Sequence, residues 1–90
     1  MNICYLPAGD YNWASSRLRV HKIVCELEKL GHTVAYHNMT PLTEVLVAQK
    51  RMDEHARKMM RQARECGIRV VYDIDDWIEG APVELADVVV

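Results

Sequence analysis

A chain of 90 residues, half of them apolar and 27% charged, has room for one small domain. A domain of that size buries only roughly 60–65% of its unfolded surface, so little stability is held in reserve. Eleven basic against 13 acidic residues give a net charge of −2, which argues against a general nucleic-acid binder with its basic surplus. Cys4, Cys25 and Cys66 are odd in number and lack CxxC spacing, so the sequence predicts reduced core thiols of a cytoplasmic protein and neither a disulfide frame nor a zinc site. The opening MNICYLPAG has no basic segment of the signal-peptide kind, and no apolar run nears the roughly 20 residues of a membrane span.

Residues 2–7 (NICYLP) are a short apolar run closed by Pro7, Ala8 and Gly9, the pattern of a buried first strand. Residues 15–32 then place Val20, Ile23, Val24, Leu27 and Leu30 at helical spacing. Ser15 or Ser16 suits the helix cap, and Gly31 suits its left-handed stop. A second strand is expected over 33–37. In 53–67, Ala56, Met59, Met60 and Ala63 form an apolar stripe, best read as core filling. Acids in its first turn, bases in its later turns and Gly67 at its end all favour a helix. Strands are expected over 68–73 and, at its beginning only, over 86–90.

Residues 41–52 fit two states. VLVAQ is apolar enough for a buried strand. Leu42, Val45, Ala48, Met52 and Ala56 also share one helical face, and Thr40 before Pro41 would start such a helix well. A parallel strand here needs a tight return from residue 37, at most ~25 Å in seven residues. Pattern alone leaves the two level.

Alternating strands and helices imply an α/β domain, a Rossmann-like parallel sheet with flanking helices. Ligands of such sheets bind beyond the carboxyl ends of the strands. Strand 2–7 is expected to lie beside strand 69–73, so that two segments meet there. One is the long loop holding Gly9, Trp13, Ser15, Ser16, Arg17 and Arg19, whose amides, hydroxyls and guanidinium groups suit an anion. The other is the acidic tip holding Asp73, Asp75, Asp76 and Trp77. Arg17 and Arg19 are then expected to pair with the tip. A capped helix start and a solvated, salt-bridged strand end are the plainer readings of the same residues.

Three carboxylates within four positions also suit other chemistry. A DxD pair holds a divalent cation bridging phosphates in some sites, although two or three acids are poor evidence of one. VVYDIDDW resembles the first motif of haloacid-dehalogenase phosphatases, in which Asp73 would be the nucleophile and Asp75 the general acid. Trp77 stands where that motif has a small residue, and the 13 residues after it leave no room for the remaining site.

The order ASSRLRVHKIVCELEKLGHTV, VLVAQKR, RECGIRVVYDIDDW and ELADVVV resembles the N-terminal half of GT-B glycosyltransferases of the group-1-like kind. The likeness covers nearly the whole chain; each motif is loose, and the order and spacing carry it. It implies that 45–49 is a strand and that Asp73, Asp75 and Asp76 line an interdomain cleft. It also implies sugar transfer from a nucleotide sugar, with this domain shaping the acceptor side and a second domain holding the donor. Trp13 and Trp77 would then stack on a sugar ring. The expected unit is thus an incomplete GT-B N-terminal domain, inactive alone, needing no metal or other cofactor, and naming no catalytic base. A nucleotide sugar and acceptor would be partners only once a second domain completes it. The alternative is a non-catalytic Rossmann-like interaction module that pairs with another protein or with itself, the latter through an incomplete sheet edge.

Overall fold

The computed structural model describes residues 1–7, 14–74 and 80–90, with the side chains of 14–19 and of residue 21 outside the description. Five parallel strands form one sheet: β1 (Asn2–Leu6), β2 (Thr33–Tyr36), β3 (Val45–Gln49), β4 (Arg69–Asp73) and β5 (Val88–Val89). Their spatial order is β2-β1-β3-β4-β5. Helix α1 (Ala14–Lys29) joins β1 to β2, helix α2 (Glu54–Glu65) joins β3 to β4, and a single 3-10 turn, Val83–Leu85, precedes β5. This is the Rossmann-like α/β architecture expected from the sequence. None of the described helices is long and apolar enough to cross a membrane.

Successive strand residues point to opposite faces, which divides the core in two. Cys4, Leu6, Leu46, Ala48, Val70 and Tyr72 face α2 and meet Ala56, Met59, Met60 and Ala63. Tyr5, Val34 and Val47 face α1 and meet Val20, Ile23 and Val24. The methionines of α2 do fill the core, Met60 completely.

Both helices stop by the same device. After α2, Gly67 at φ 76° lets the Ile68 amide donate to the Ala63 carbonyl at 2.8 Å and the Gly67 amide to Arg64 at 3.1 Å. After α1, Gly31 at φ 91° lets His32 donate to Leu27 and Gly31 to Glu28. Each pair of bonds satisfies carbonyls that a helix end leaves open, and the left-handed turn costs glycine nothing.

Segment 45–49 is a strand, the state that the family resemblance implies, and no helix starts at Thr40. Residues 40–43 instead make a tight turn in which Thr43 donates to the Thr40 carbonyl at 3.0 Å. The return from β2 to β3 is made without a helix, on the α2 side, where Met39 packs against the core.

Other expectations need correction. Helix α1 opens at Ala14, so Ser15 and Ser16 lie in its first turn and neither is the cap. Leu30 lies past the helix end and is exposed. Of the three thiols only Cys4 is in the core, where burial pushes it above its usual range, while Cys66 is exposed.

The largest correction concerns strand order. β1 does not lie beside β4: β3 sits between them, paired Tyr5 to Val47 on one side and Val47 to Val71 on the other. The reason is burial. Leu46 and Ala48 are fully buried towards α2, and Val47 joins the α1 core, so β3 needs cover on both faces. A central slot supplies it; an edge slot would not.

Candidate functional site at the carboxyl edge of the sheet

The insertion of β3 changes which residues meet at the carboxyl edge. Gln49 and Asp73 close β3 and β4 in matched register, and both are buried, at 2% and 5% exposure. Alternation puts them on the α1 face, above Val47 and Val71. Adjacent parallel strands lie ~4.8 Å apart, so an amide and a carboxylate share one patch of floor. Buried polar groups at the end of an otherwise apolar sheet are costly to desolvate, which sets this patch apart from the core beneath it. Sequence reasoning misses Gln49. The one signal for it is a glutamine ending a five-residue apolar strand.

Helix α1 begins at the same carboxyl edge and packs on the same face, against Tyr5, Val34 and Val47. It is 16 residues long, ~24 Å at 1.5 Å per residue, and its far end leads into β2 at the amino edge. Ser15, Ser16, Arg17 and Arg19 therefore belong to its carboxyl-edge turns, with their side chains outside the description. Gly9, Trp13, Asp75, Asp76 and Trp77 lie outside the described residues, and so does the expected pairing of Arg17 and Arg19 with the acidic tip. Of the acidic tip, Asp73 is in place as a strand-end carboxylate. With β3 interposed, the loop after β1 and the segment after β4 belong to strands two intervals apart.

The α2 side of the same edge carries a second polar group, which the sequence pattern does not single out. Arg51 follows β3 and clasps Asp53 with two bonds, Nε to Oδ1 at 2.6 Å and Nη2 to Oδ2 at 2.8 Å. Its Nη1 donates to the Pro7 carbonyl at the end of β1 at 3.3 Å. Its own carbonyl accepts from the Tyr72 hydroxyl at 3.0 Å. Asp53 in turn caps α2, accepting from the Ala56 amide at 3.3 Å. The Arg51 hydrogen bond holds the Asp53 carboxyl well below the usual carboxylate range, helped by the Ala56 amide against some burial.

His37 and Lys50 are the first residues after β2 and β3, and both are left-handed, at φ 55° and 51°. Such a backbone costs a non-glycine residue ~1–2 kcal/mol. The His37 amide donates to the Tyr5 carbonyl at 3.1 Å and the Lys50 amide to the Asp73 carbonyl at 2.9 Å, which holds both turns. His37 is held below the usual imidazole range by partial burial first, then by Arg51 and His55, with Asp53 opposing. Among the described residues no three His, Cys, Asp or Glu side chains are grouped to hold a metal ion.

Comparison with protein-family models, with curated proteins and with solved structures gave no match.

Proposed function

We propose that this chain is the acceptor-side domain of a cytoplasmic, glycosyltransferase-like enzyme of GT-B type, working with a second domain that binds the nucleotide sugar. One observation carries the reading: Gln49 and Asp73 form a buried polar floor at the carboxyl edge, on the face of the sheet that α1 packs against. An amide and a carboxylate side by side can orient the polar groups above them, the support that a cleft for sugar hydroxyls needs. The order of motifs from ASSRLR to ELADVVV supports the same assignment through its resemblance to that family.

The 90 residues by themselves are expected to neither transfer nor hydrolyse common nucleotide sugars. A free hexose should nonetheless shift the NMR signals of Gln49 and Asp73, and Asp73→Asn should weaken that response. Robust turnover by the purified chain, lost in Asp75→Asn, would replace this reading with a self-contained acid site.

A second reading rests on the opposite side of the sheet. Val88 and Val89 of the outermost strand, and Val90 just past it, are 42%, 46% and 66% exposed, an apolar edge of the kind that recruits another strand. In that reading the chain is an interaction module that pairs edge to edge with a second copy. Sedimentation should then give a dimer that Val89→Lys converts to monomer. A wild-type chain that stays monomeric across the concentration range removes the module reading.

A further inference from the structure

We infer that β2 is a self-pairing edge: a second copy of the chain adds its own β2, antiparallel, across a two-fold axis at Ala35. The contact does not depend on the acceptor-side reading. β2 is the strand at the far end of the sheet from β5, and β1 separates it from the strand that carries Gln49.

The outward groups of β2 follow from its bonds to β1. The Thr33 amide donates to the Met1 carbonyl at 2.9 Å and the His37 amide to the Tyr5 carbonyl at 3.1 Å. In a parallel ladder every second residue bonds the same neighbour, so Ala35 faces β1 as well. The amides and carbonyls of Val34 and Tyr36 therefore point away from the sheet, with no strand beyond them among the described residues. Nothing along Thr33–Tyr36 guards this edge. The sequence TVAY has no charge and no proline, and its register with β1 is unbroken by a bulge. Tyr36 is 45% exposed, on the same face as Val34.

A second copy meets these groups in a single register. Val34 of one copy lies opposite Tyr36 of the other, and the reverse, and each such pair exchanges both of its N–H···O bonds. Ala35 then faces its own mate in the closer, non-hydrogen-bonded spacing of ~4.5 Å between Cα atoms, which a methyl group fits. The exposed ring of Tyr36 covers Val34 across the axis, an aromatic and β-branched pairing that stabilises sheets. The two-fold closes the contact on itself, so the assembly stops at two. Joining β2 of one copy to β5 of the next would be head-to-tail and would not close. β5 also offers two residues where β2 offers four. The left-handed backbone of His37 ends the strand and limits the ladder to that length. So short a contact lies below the ~1,200–2,000 Å² of stable complexes, which makes a dimer that dissociates on dilution the expected form.

The test is sedimentation of the folded chain from micromolar to millimolar concentration, with backbone hydrogen exchange read on the same samples. A concentration-dependent dimer is expected, in which the Val34 and Tyr36 amides slow as dimer accumulates. The slowing should reach about tenfold when a tenth of the chains remain monomeric. Tyr36→Lys places a charge on the edge and removes the ring, and should weaken the dimer about tenfold or more. If Tyr36→Lys does not fold, Thr33→Lys makes the same comparison from the other end of the strand, where the side chain is also exposed. A chain that is monomeric throughout overturns the pairing, as does a dimer in which both amides exchange as fast as in the monomer. A dimer that Val89→Lys dissolves and Tyr36→Lys leaves intact also overturns it, and assigns the contact to β5.

Discussion

Leu46→Ala should lower the melting temperature by about 12–24 °C. Leu46 has no exposure and sits on β3 at the middle of the sheet, facing Met60 and the other residues that α2 covers. Truncating a buried leucine costs about 3 kcal/mol, from lost burial and from the cavity left behind. A domain of this length has total stability of roughly 5–13 kcal/mol, so that loss is a large fraction. Leu42→Ala is the matched control: Leu42 is 72% exposed, and its loss should stay within ~0.5 kcal/mol. Thermal unfolding followed by circular dichroism compares them. Equal melting temperatures for the two variants would mean that β3 does not carry the core as described.

The second effect is at Asp53, and it depends on pH. Asp53→Ala removes a helix cap and an ion pair together. The cap contributes ~1 kcal/mol. The pair adds no more than ~1 kcal/mol, because Asp53 is 45% exposed and solvent screens it, although Arg51 is only 17% exposed. The expected loss at neutral pH is about 1–2 kcal/mol, or about 4–16 °C in melting temperature. Asp53→Asn keeps a good cap and loses only the charge. The folded carboxyl titrates below its unfolded value, so the unfolded chain takes up a proton first. The pair's contribution is therefore complete above the ordinary carboxylate range near pH 4 and is lost as pH falls towards the folded value. The gap between wild type and Asp53→Asn should narrow on acidification. A gap that is the same at pH 7 and pH 3 would show that the Arg51 clasp adds nothing to stability.

Local structure is readable from sequence where side-chain period and end signals agree. Ala56, Met59, Met60 and Ala63 mark one face of α2, and Gly67 marks its end; both are found there. At 45–49 the same rules give two answers, because a short apolar run satisfies a strand and a helix equally. Only burial on both faces, a property of the assembled sheet, distinguishes them. Strand order is of that kind too: nothing local in NICYL or RVVYD says which strand lies between them. The site is half legible. Asp73 stands out as a carboxylate after β-branched residues, whereas Gln49 becomes notable only once its register with Asp73 is known. In sequence, Arg51 and Asp53 look like no more than the approach to a helix. Their bidentate geometry is a tertiary fact.

The position of β1 bears on how the chain is made. It is synthesised before either of its partners, yet it lies inside the sheet with β2 on one edge and β3 on the other. Its partners begin 31 and 42 residues downstream, since Asn2 pairs with Thr33 and Ile3 with Val45. On the ribosome the strand NICYL must therefore wait with both edges open until β2 has emerged, and with one still open until β3 follows. An apolar strand with unpaired amides and carbonyls is a template for pairing with other chains. The nascent protein is at its most vulnerable early, and the same strand becomes one of its best-protected once residue 48 is in place.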